Sequence, residues 1–267
     1  MAYETPHQKH LRLAALTVGL RDMQVLEVGG CSPPTLLREY GPRTWTCFNL
    51  NPLDVADFNA QTKTLTLDNV IATVQDIATL EQSEQYDRIY SLNCFEHIGD
   101  LQTAFTRMYR ALRFGGALYT LFGPIWSSDV GHHLCIPTDG GGLNFFDGVL
   151  EPWEHLTSTP GAIHAKLERE HGKADADRAI EYIYEDHDLN RLYEHQYLEI
   201  IRASGFTPAM IIRNKKGRPP AVPGATRTRE FAMVLKKGPA RISERMLYPM
   251  KFGWAYLTSR LTAQWTA

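Results

Sequence analysis

The sequence has little of several things, and each shortage excludes something. Only four cysteines occur, Cys31, Cys47, Cys94 and Cys135, and no two form a C-x-x-C pair. That argues against a structural zinc site. No run of about 18 apolar residues exists, so no helix is expected to span a bilayer. The opening stretch MAYETPHQKHLRLAA lacks the apolar segment of a secretory signal. The cysteines then read as reduced thiols, and the protein as cytoplasmic. An excess of charge is also missing: 28 Lys and Arg face 30 Asp and Glu, a formal net charge of −2. A bulk nucleic-acid binder normally carries a basic face, so nucleic acid is not expected as a partner. Two local basic clusters, Arg213/Lys215/Lys216/Arg218 and Arg227/Arg229, read as solvated loop. No internal repeat or low-complexity segment stands out.

Apolar residues at 43% suffice for a core, and 22% charged is ordinary for a soluble domain. Their pattern alternates between strand and helix. QVLEV at Gln24–Val28 is a short apolar run ending at Gly29-Gly30, and a helical stretch follows from Pro34 to Tyr40. TWTCFNL at Thr44–Leu50, Ile71–Val74 and DRIYSL at Asp87–Leu92 read as further strands. Leu101–Leu112 has helical spacing and should stop at Gly115-Gly116, before a fifth strand at Ala117–Phe122. Such alternation predicts parallel βαβ units and an α/β fold with helices on both faces of the sheet. Ligands bind such sheets at the carboxyl ends of the strands, so the loops there should hold the chemistry.

The pattern changes after Phe122. Residues 123–161 are rich in Gly, Pro, His and Trp, and a helical region follows over Ala162–Tyr184. Leu192–Ser204 is an amphipathic helix, and Pro208–Arg213 and Glu230–Lys236 look like two closing strands. The expected organisation is a core over 1–122, an inserted acceptor cap over 123–190, core completion over 191–237 and a tail over 238–267. Spaced aromatic residues in the tail (Tyr248, Phe252, Trp254, Tyr256, Trp265) would suit packing on its own domain, a homodimer contact or a membrane-surface element.

Four segments together resemble the class I S-adenosylmethionine (SAM) dependent methyltransferases, over roughly residues 20–125 with the closing strands at 208–236. VLEVGG at Val25–Gly30 is similar to the family's first motif, with Glu27 beneath the methionine part of SAM and Gly29 and Gly30 letting the backbone approach it. The family's alternating glycines are altered here, since Cys31-Ser32-Pro33 follows. CFNLNP at Cys47–Pro52 matches the strand whose end usually carries an acid for the ribose hydroxyls. Asn49 occupies that position, beside Leu50, with Asn51 as a neighbour that could help. VQDIATL at Val74–Leu80 places Asp76 for the adenine amino group and Ile77 against the adenine face. Asp76 could equally be a helix cap. Tyr86–Leu118 is the most specific match: Ser91 and Asn93 would lie near the methionine end, and Glu96-His97 would open the helix bordering the acceptor pocket.

The resemblance implies a Rossmann-like, mostly parallel seven-stranded sheet, SAM as cofactor, and methyl transfer to a small-molecule acceptor. A hydroxyl oxygen of sugar or natural-product type is the leading acceptor. A nitrogen acceptor, or a non-catalytic scaffold or partner subunit that keeps the fold, are the alternatives. An oxygen acceptor needs a base, and histidine is the natural one. His132 and His133, in the loop GPIWSSDVGHHL after the fifth strand, are the first candidates, with His97 the next. Trp126, Trp153 and His155 are candidate acceptor contacts. Phe145 and Phe146 would suit the same wall, or the cap's own core. No metal is expected, because adjacent histidines with Asp129 or Asp139 lack the spacing that sets ligands on one helix face.

Overall fold

A computed structural model describes residues 4–138, 141–187 and 189–264. Asp139 and Trp265 lie outside the described residues. The core strands are β1 (Gln24–Val28), β2 (Thr44–Asn49), β3 (Val70–Val74), β4 (Tyr86–Leu92) and β5 (Leu112–Phe122). A two-stranded hairpin, β6 (Cys135–Ile136) and β7 (Leu143–Asn144), follows, and β8 (Thr207–Lys215) and β9 (Thr228–Lys236) complete the set. The main sheet has seven strands in the order β3-β2-β1-β4-β5-β9-β8. β1 to β5 pair in parallel, and β9 inserts antiparallel between β5 and β8. The chain moves outward from β1 to β3 and then crosses back to β4. The β1/β4 junction is therefore the point where ligands bind such sheets.

The helices are α1 (Pro6–Thr17), α2 (Pro34–Tyr40), α3 (Pro52–Thr64), α4 (Leu101–Ala111), α5 (Glu154–Thr157), α6 (Pro160–His171), α7 (Lys173–Tyr184), α8 (Glu194–Ala203) and α9 (Ile242–Gln264). Strand alternation splits β1 between two cores. Leu26 and Val28 pack with α4 and α8 through Phe105, Met108 and Ile201. Val25 packs on the other side with Trp45, Phe58 and the α1 residues Leu11 and Ala14. Helix α4 buries Leu101, Ala104, Phe105 and Met108, the i, i+3, i+4, i+7 stripe that a sheet-covering helix needs.

Two boundaries differ from the sequence expectation. Gly115-Gly116 do not end the α4 helix. The helix stops at Ala111, and both glycines lie inside β5, where the pairing with β4 jumps from Tyr86↔Leu112 to Arg88↔Ala117. Gly115 carries the bulge at φ +81°. Glu96-His97 do not open α4 either. They form a separate 3-10 turn, Phe95–His97, and Asp100 caps α4 by accepting from the Thr103 amide at 2.9 Å.

Between β5 and α8 the chain builds a small core of its own. Trp126, Leu134, Ile136 and Leu143 pack there against Ile163, Leu167, Ala176, Ala179 and Ile183 of α6 and α7. The helical region expected over 162–184 is these two helices, separated at Gly172, whose φ of +88° breaks the run. The tail docks on its own domain: Phe252 of α9 is buried in the core that contains α1, Tyr248 packs beside it, and Lys236 pairs with Glu244 at 2.5 Å. Among the described residues no helix is long and apolar enough to cross a membrane, and all four cysteines are unpaired.

Candidate functional site

The turn after β1 is organised from below by Glu27. Its carboxylate, 2% exposed, accepts from the Ser32 amide at 3.0 and 3.1 Å and from Ser32 Oγ at 2.7 Å. It also accepts from Trp45 Nε1 at 2.8 Å and from Cys47 Sγ at 3.2 Å. A carboxylate has about four lone-pair sites, so these donors consume most of its capacity. Glu27 thus fixes the loop that follows β1. Gly29, at φ +79°, packs its Cα against Cys94. A Cβ there would meet Cys94 Sγ at 1.9 Å, so this position excludes every side chain.

Two cavities open over that loop at the carboxyl ends of the strands. The larger, about 500 Å³, is lined by Gly29, Gly30, Cys31 and Asn49, by Leu92 and Asn93 at the end of β4, by His7 of α1, and by Asp54, Asp57 and Gln61 of α3. The smaller, about 60 Å³, is lined by Gly29, Asn49, Leu50, Asp76, Ile77, Cys94 and Ile98. Gly29 and Asn49 belong to both, so the two are halves of one cleft. Gly29, Gly30, Asn49, Leu50, Asp76, Ile77 and Asn93, taken from sequence as cofactor residues, therefore meet on one wall. Glu27 and Ser91 stand behind it. Ser91 is fully buried, and its hydroxyl donates to the Val28 carbonyl at 3.0 Å.

The polar groups of the cleft are partly committed. Asn49 Oδ1 accepts from the Asn51 amide at 2.9 Å, and Asn51 Oδ1 caps α3 by accepting from the Leu53 amide at 2.9 Å. Asp76 Oδ1 accepts from the Ala78 amide at 2.9 Å, which leaves its second oxygen. The backbone cradle, an apolar slot beside Ile77 and these remaining donors and acceptors fit a nucleoside with a charged amino-acid tail. Sequence reasoning missed the α3 face. Asp54, Asp57 and Gln61 follow helical spacing after the Asn51-Pro52 start signal, and that signal could have found them.

A second cluster stands on the turn whose neighbours line the cleft. The donor atoms of Glu96, His97 and His133 all lie within 4.8 Å of one another. Glu96 Oε1 accepts from the Gly123 amide at 2.9 Å, while the buried Oε2 has no partner. Burial pushes the Glu96 carboxyl up to about 8. The His97 and His133 rings meet edge to face at 5.2 Å. His133 adopts φ +53°, and its Nδ1 faces the Gly131 carbonyl at 3.5 Å. Burial pulls its imidazole down to about 3. Asn190 pins the turn. It donates from Nδ2 to the Phe95 and Ile98 carbonyls at 2.6 and 3.2 Å, and its amide donates to the Glu96 carbonyl at 3.0 Å. Phe145 packs at a tilt 5.3 Å from His133, with Phe146 beyond it at 4.3 Å.

The other histidines and both tryptophans sit elsewhere. His132 has no exposed surface; its Nδ1 accepts from the Leu134 amide at 3.2 Å and its ring lies 5.5 Å from His155. His155 Nε2 donates to the Trp126 carbonyl at 2.7 Å, and the Trp126 ring packs on it at 4.7 Å. Trp153 is buried and donates from Nε1 to the Ser127 and Thr226 carbonyls at 3.2 and 3.3 Å. Neighbours in sequence thus divide: His133 joins Glu96 and His97, while His132 joins the cap's interior. One residue of each basic cluster forms an ion pair, Arg213 with Glu194 and Arg229 with the buried Asp129.

No curated protein sequence matches the chain. Solved structures do match in fold. An S-adenosylmethionine dependent methyltransferase from Mesorhizobium loti is 14% identical with a TM-score of 0.54, covering 85% of this chain and 96% of that one. A geranyl diphosphate methyltransferase solved with SAM is 11% identical with a TM-score of 0.54, covering 86% and 84%. Phosphoethanolamine N-methyltransferase 2 from Haemonchus contortus, also solved with SAM, is 16% identical with a TM-score of 0.50, covering 80% of this chain and 39% of that one. In sequence, residues 26–120 match the family described as a methyltransferase domain. That segment runs from β1 to β5 and supplies the whole lining of the smaller half of the cleft and all of the larger half except Pro6 and His7. Residues 26–120 thus match a methyltransferase domain, and the chain shares the fold of S-adenosylmethionine-dependent methyltransferases.

Proposed function

We propose that the protein transfers a methyl group from SAM to a small-molecule acceptor through a hydroxyl oxygen of sugar or natural-product type. The observation that carries this reading is the Glu96/His97/His133 cluster beside the cofactor cleft, flanked by the Phe145 and Phe146 rings. The aromatic pair offers an apolar face for an acceptor, and the cluster offers the polar groups a hydroxyl needs.

Gly29, Gly30, Asn49, Leu50, Asp76, Ile77 and Asn93 hold the cofactor in this reading, with Glu27 and Ser91 bracing the wall behind them. SAM, when bound, supplies an electrophilic methyl whose bond to sulfur breaks as the acceptor oxygen bonds to carbon, the electron pair staying on sulfur. The chain's part is alignment and proton removal. With Nδ1–H of His133 toward the Gly131 carbonyl, Nε2 keeps its lone pair for the acceptor proton, and His97 stands beside it. His132, Trp126, Trp153 and His155 act one layer back, by shaping the loop that presents His133.

Calorimetric titration with SAM and S-adenosylhomocysteine, followed by a screen of hydroxyl- and amine-bearing acceptors, tests the proposal. The product should be one methyl heavier, on oxygen by NMR. His133→Ala should slow turnover by about two to four orders of magnitude, the usual worth of a positioned base, and leave SAM affinity unchanged. A methyl found on nitrogen, or full turnover in His133→Ala, overturns the acceptor assignment.

A further inference from the structure

We propose that Glu96, His97 and His133 form a binding site for a divalent transition-metal ion, with open coordination positions for the acceptor's oxygen. That last role rests on the methyl-transfer reading above, with the ion taking over from His133 Nε2 the activation of the acceptor hydroxyl; the metal site itself does not.

The donor atoms come from two elements that the fold brings together, the turn after β4 and the loop after β5. Two donors on one ion, each about 2.1 Å from it, lie at most about 4.2 Å apart. Separations within 4.8 Å therefore need only small side-chain rotations to close on a cation. Independent support comes from Glu96. Its carboxyl is 2% exposed, one oxygen is held by the Gly123 amide, and the other is buried with no partner. Buried polar atoms are nearly always satisfied, so an orphaned oxygen among imidazoles calls for a ligand. A cation supplies it.

The surroundings match those of a metal centre. Metal-bound histidines are typically oriented by a carbonyl on the second ring nitrogen, and ligating carboxylates by a donor. Here the Gly131 carbonyl faces His133 Nδ1 at 3.5 Å, the Gly123 amide holds Glu96, and Asn190 clamps the turn. Gly131 has no room for a side chain, since a Cβ would meet the Trp126 carbonyl oxygen at 2.3 Å. Two imidazoles and one carboxylate favour Mn²⁺, Fe²⁺, Co²⁺ or Zn²⁺ over Mg²⁺ or Ca²⁺, which prefer all-oxygen sets. Three protein ligands leave positions for an exogenous oxygen, the arrangement of a catalytic rather than a structural site. The expectation of no metal considered only the adjacent histidines with nearby aspartates. The fold instead separates His132 from His133 and ties Asp129 to Arg229.

The test uses the full chain, stripped with a chelator, desalted and titrated with Co²⁺ alone. The expected result is one ion per chain, with the visible absorption of a nitrogen- and oxygen-ligated cobalt centre. His97→Ala, whose side chain lies at the surface, and the near-isosteric Glu96→Gln should each weaken binding at least tenfold with native circular dichroism. His164→Ala, at a half-buried histidine of α6 that pairs with Asp177, should leave it unchanged. No stoichiometric Co²⁺ binding, or equal affinity in His97→Ala and Glu96→Gln, overturns the proposal. So does loss of binding in His164→Ala. SAM titration of the same samples separates the two readings. SAM binding without Co²⁺ binding removes the metal site alone, and Co²⁺ binding without SAM binding removes the methyl-transfer role alone.

Discussion

Replacing Glu27 by glutamine changes one atom of the side chain and should disable the cofactor loop. The Glu27 carboxylate faces donors only: the Ser32 amide and hydroxyl, Trp45 Nε1 and Cys47 Sγ. A glutamine amide puts NH₂ where one oxygen stood. Oriented one way it opposes Trp45 and Cys47; flipped, it opposes Ser32. Either orientation forfeits at least one charge-assisted hydrogen bond, worth about 1.5–3 kcal/mol, and sets donor against donor in a buried site, which adds about 1 kcal/mol or more. A loss of about 3 kcal/mol is expected, or about 6–12 °C in Tm for a domain of this size.

Thermal unfolding followed by circular dichroism reads the stability. Calorimetry with SAM reads the site. The two should fall together, because the residues that Glu27 holds are those between the glycine turn and α2. Affinity should drop about tenfold or more. A folded Glu27→Gln protein with unchanged Tm and unchanged SAM affinity would refute the claim that this carboxylate builds the cradle.

Two further outcomes follow from buried ionisable groups. His10 lies beside Tyr119 OH at 3.3 Å, and burial, with Lys9 and His7 adding to it, lowers its pKa from 6.5 to about 4. The unfolded chain then binds a proton that the folded one refuses. The contribution of this neutral histidine is fully present above pH 6.5 and is lost as the pH falls through 4, by about 3 kcal/mol. Chemical denaturation from pH 7 to 4 should show a shallower decline in His10→Gln than in the wild type, and parallel curves would contradict the assignment. The Asp129–Arg229 pair ties the loop after β5 to β9 with side chains only 8% and 19% exposed. Arg229→Met should cost about 3 kcal/mol by stranding the aspartate, and Asp129→Leu in the same chain should restore most of it. Denaturant midpoints of the single and double variants decide this.

The fold was legible because its strands are short, apolar and punctuated by glycine. β1, β2, β4 and β9 read directly from runs of buried residues, which a sheet covered on both faces requires. Helix α3 escaped notice because Leu53, Val55 and Phe58 are its only large apolar residues, too few to set a stripe. The residues that line the cleft were legible as positions, since strand ends and turns carry local signals. The acceptor side was not. His132 and His133 are adjacent, and no local pattern states which of them turns toward Glu96. That choice is made by neighbours distant in sequence, His155 beside His132, and Glu96 and His97 beside His133. Glu96 itself read as opening the helix beside the acceptor pocket, and only the fold shows it buried with one unpartnered oxygen.

The altered glycine run then has a physical account. A glycine-rich loop achieves close backbone approach through freedom, and loses that freedom on ordering. This chain keeps glycine where contact demands it, at Gly29 against Cys94, and replaces freedom with restraint beyond it. Ser32 returns two donors to Glu27, and Pro33 and Pro34 fix the entry to α2. A proline has no amide hydrogen, so the α2 entry gives up donors that a cofactor carboxylate could otherwise use. The polar side chains that line the same cavity include Asn93, at φ +48°, and His7. The departures from the family pattern are therefore coupled. In the methyl-transfer reading, a stiffer loop with fewer donors shifts the binding load to α1 and to the end of β4, from which the chain runs on into the Glu96 turn.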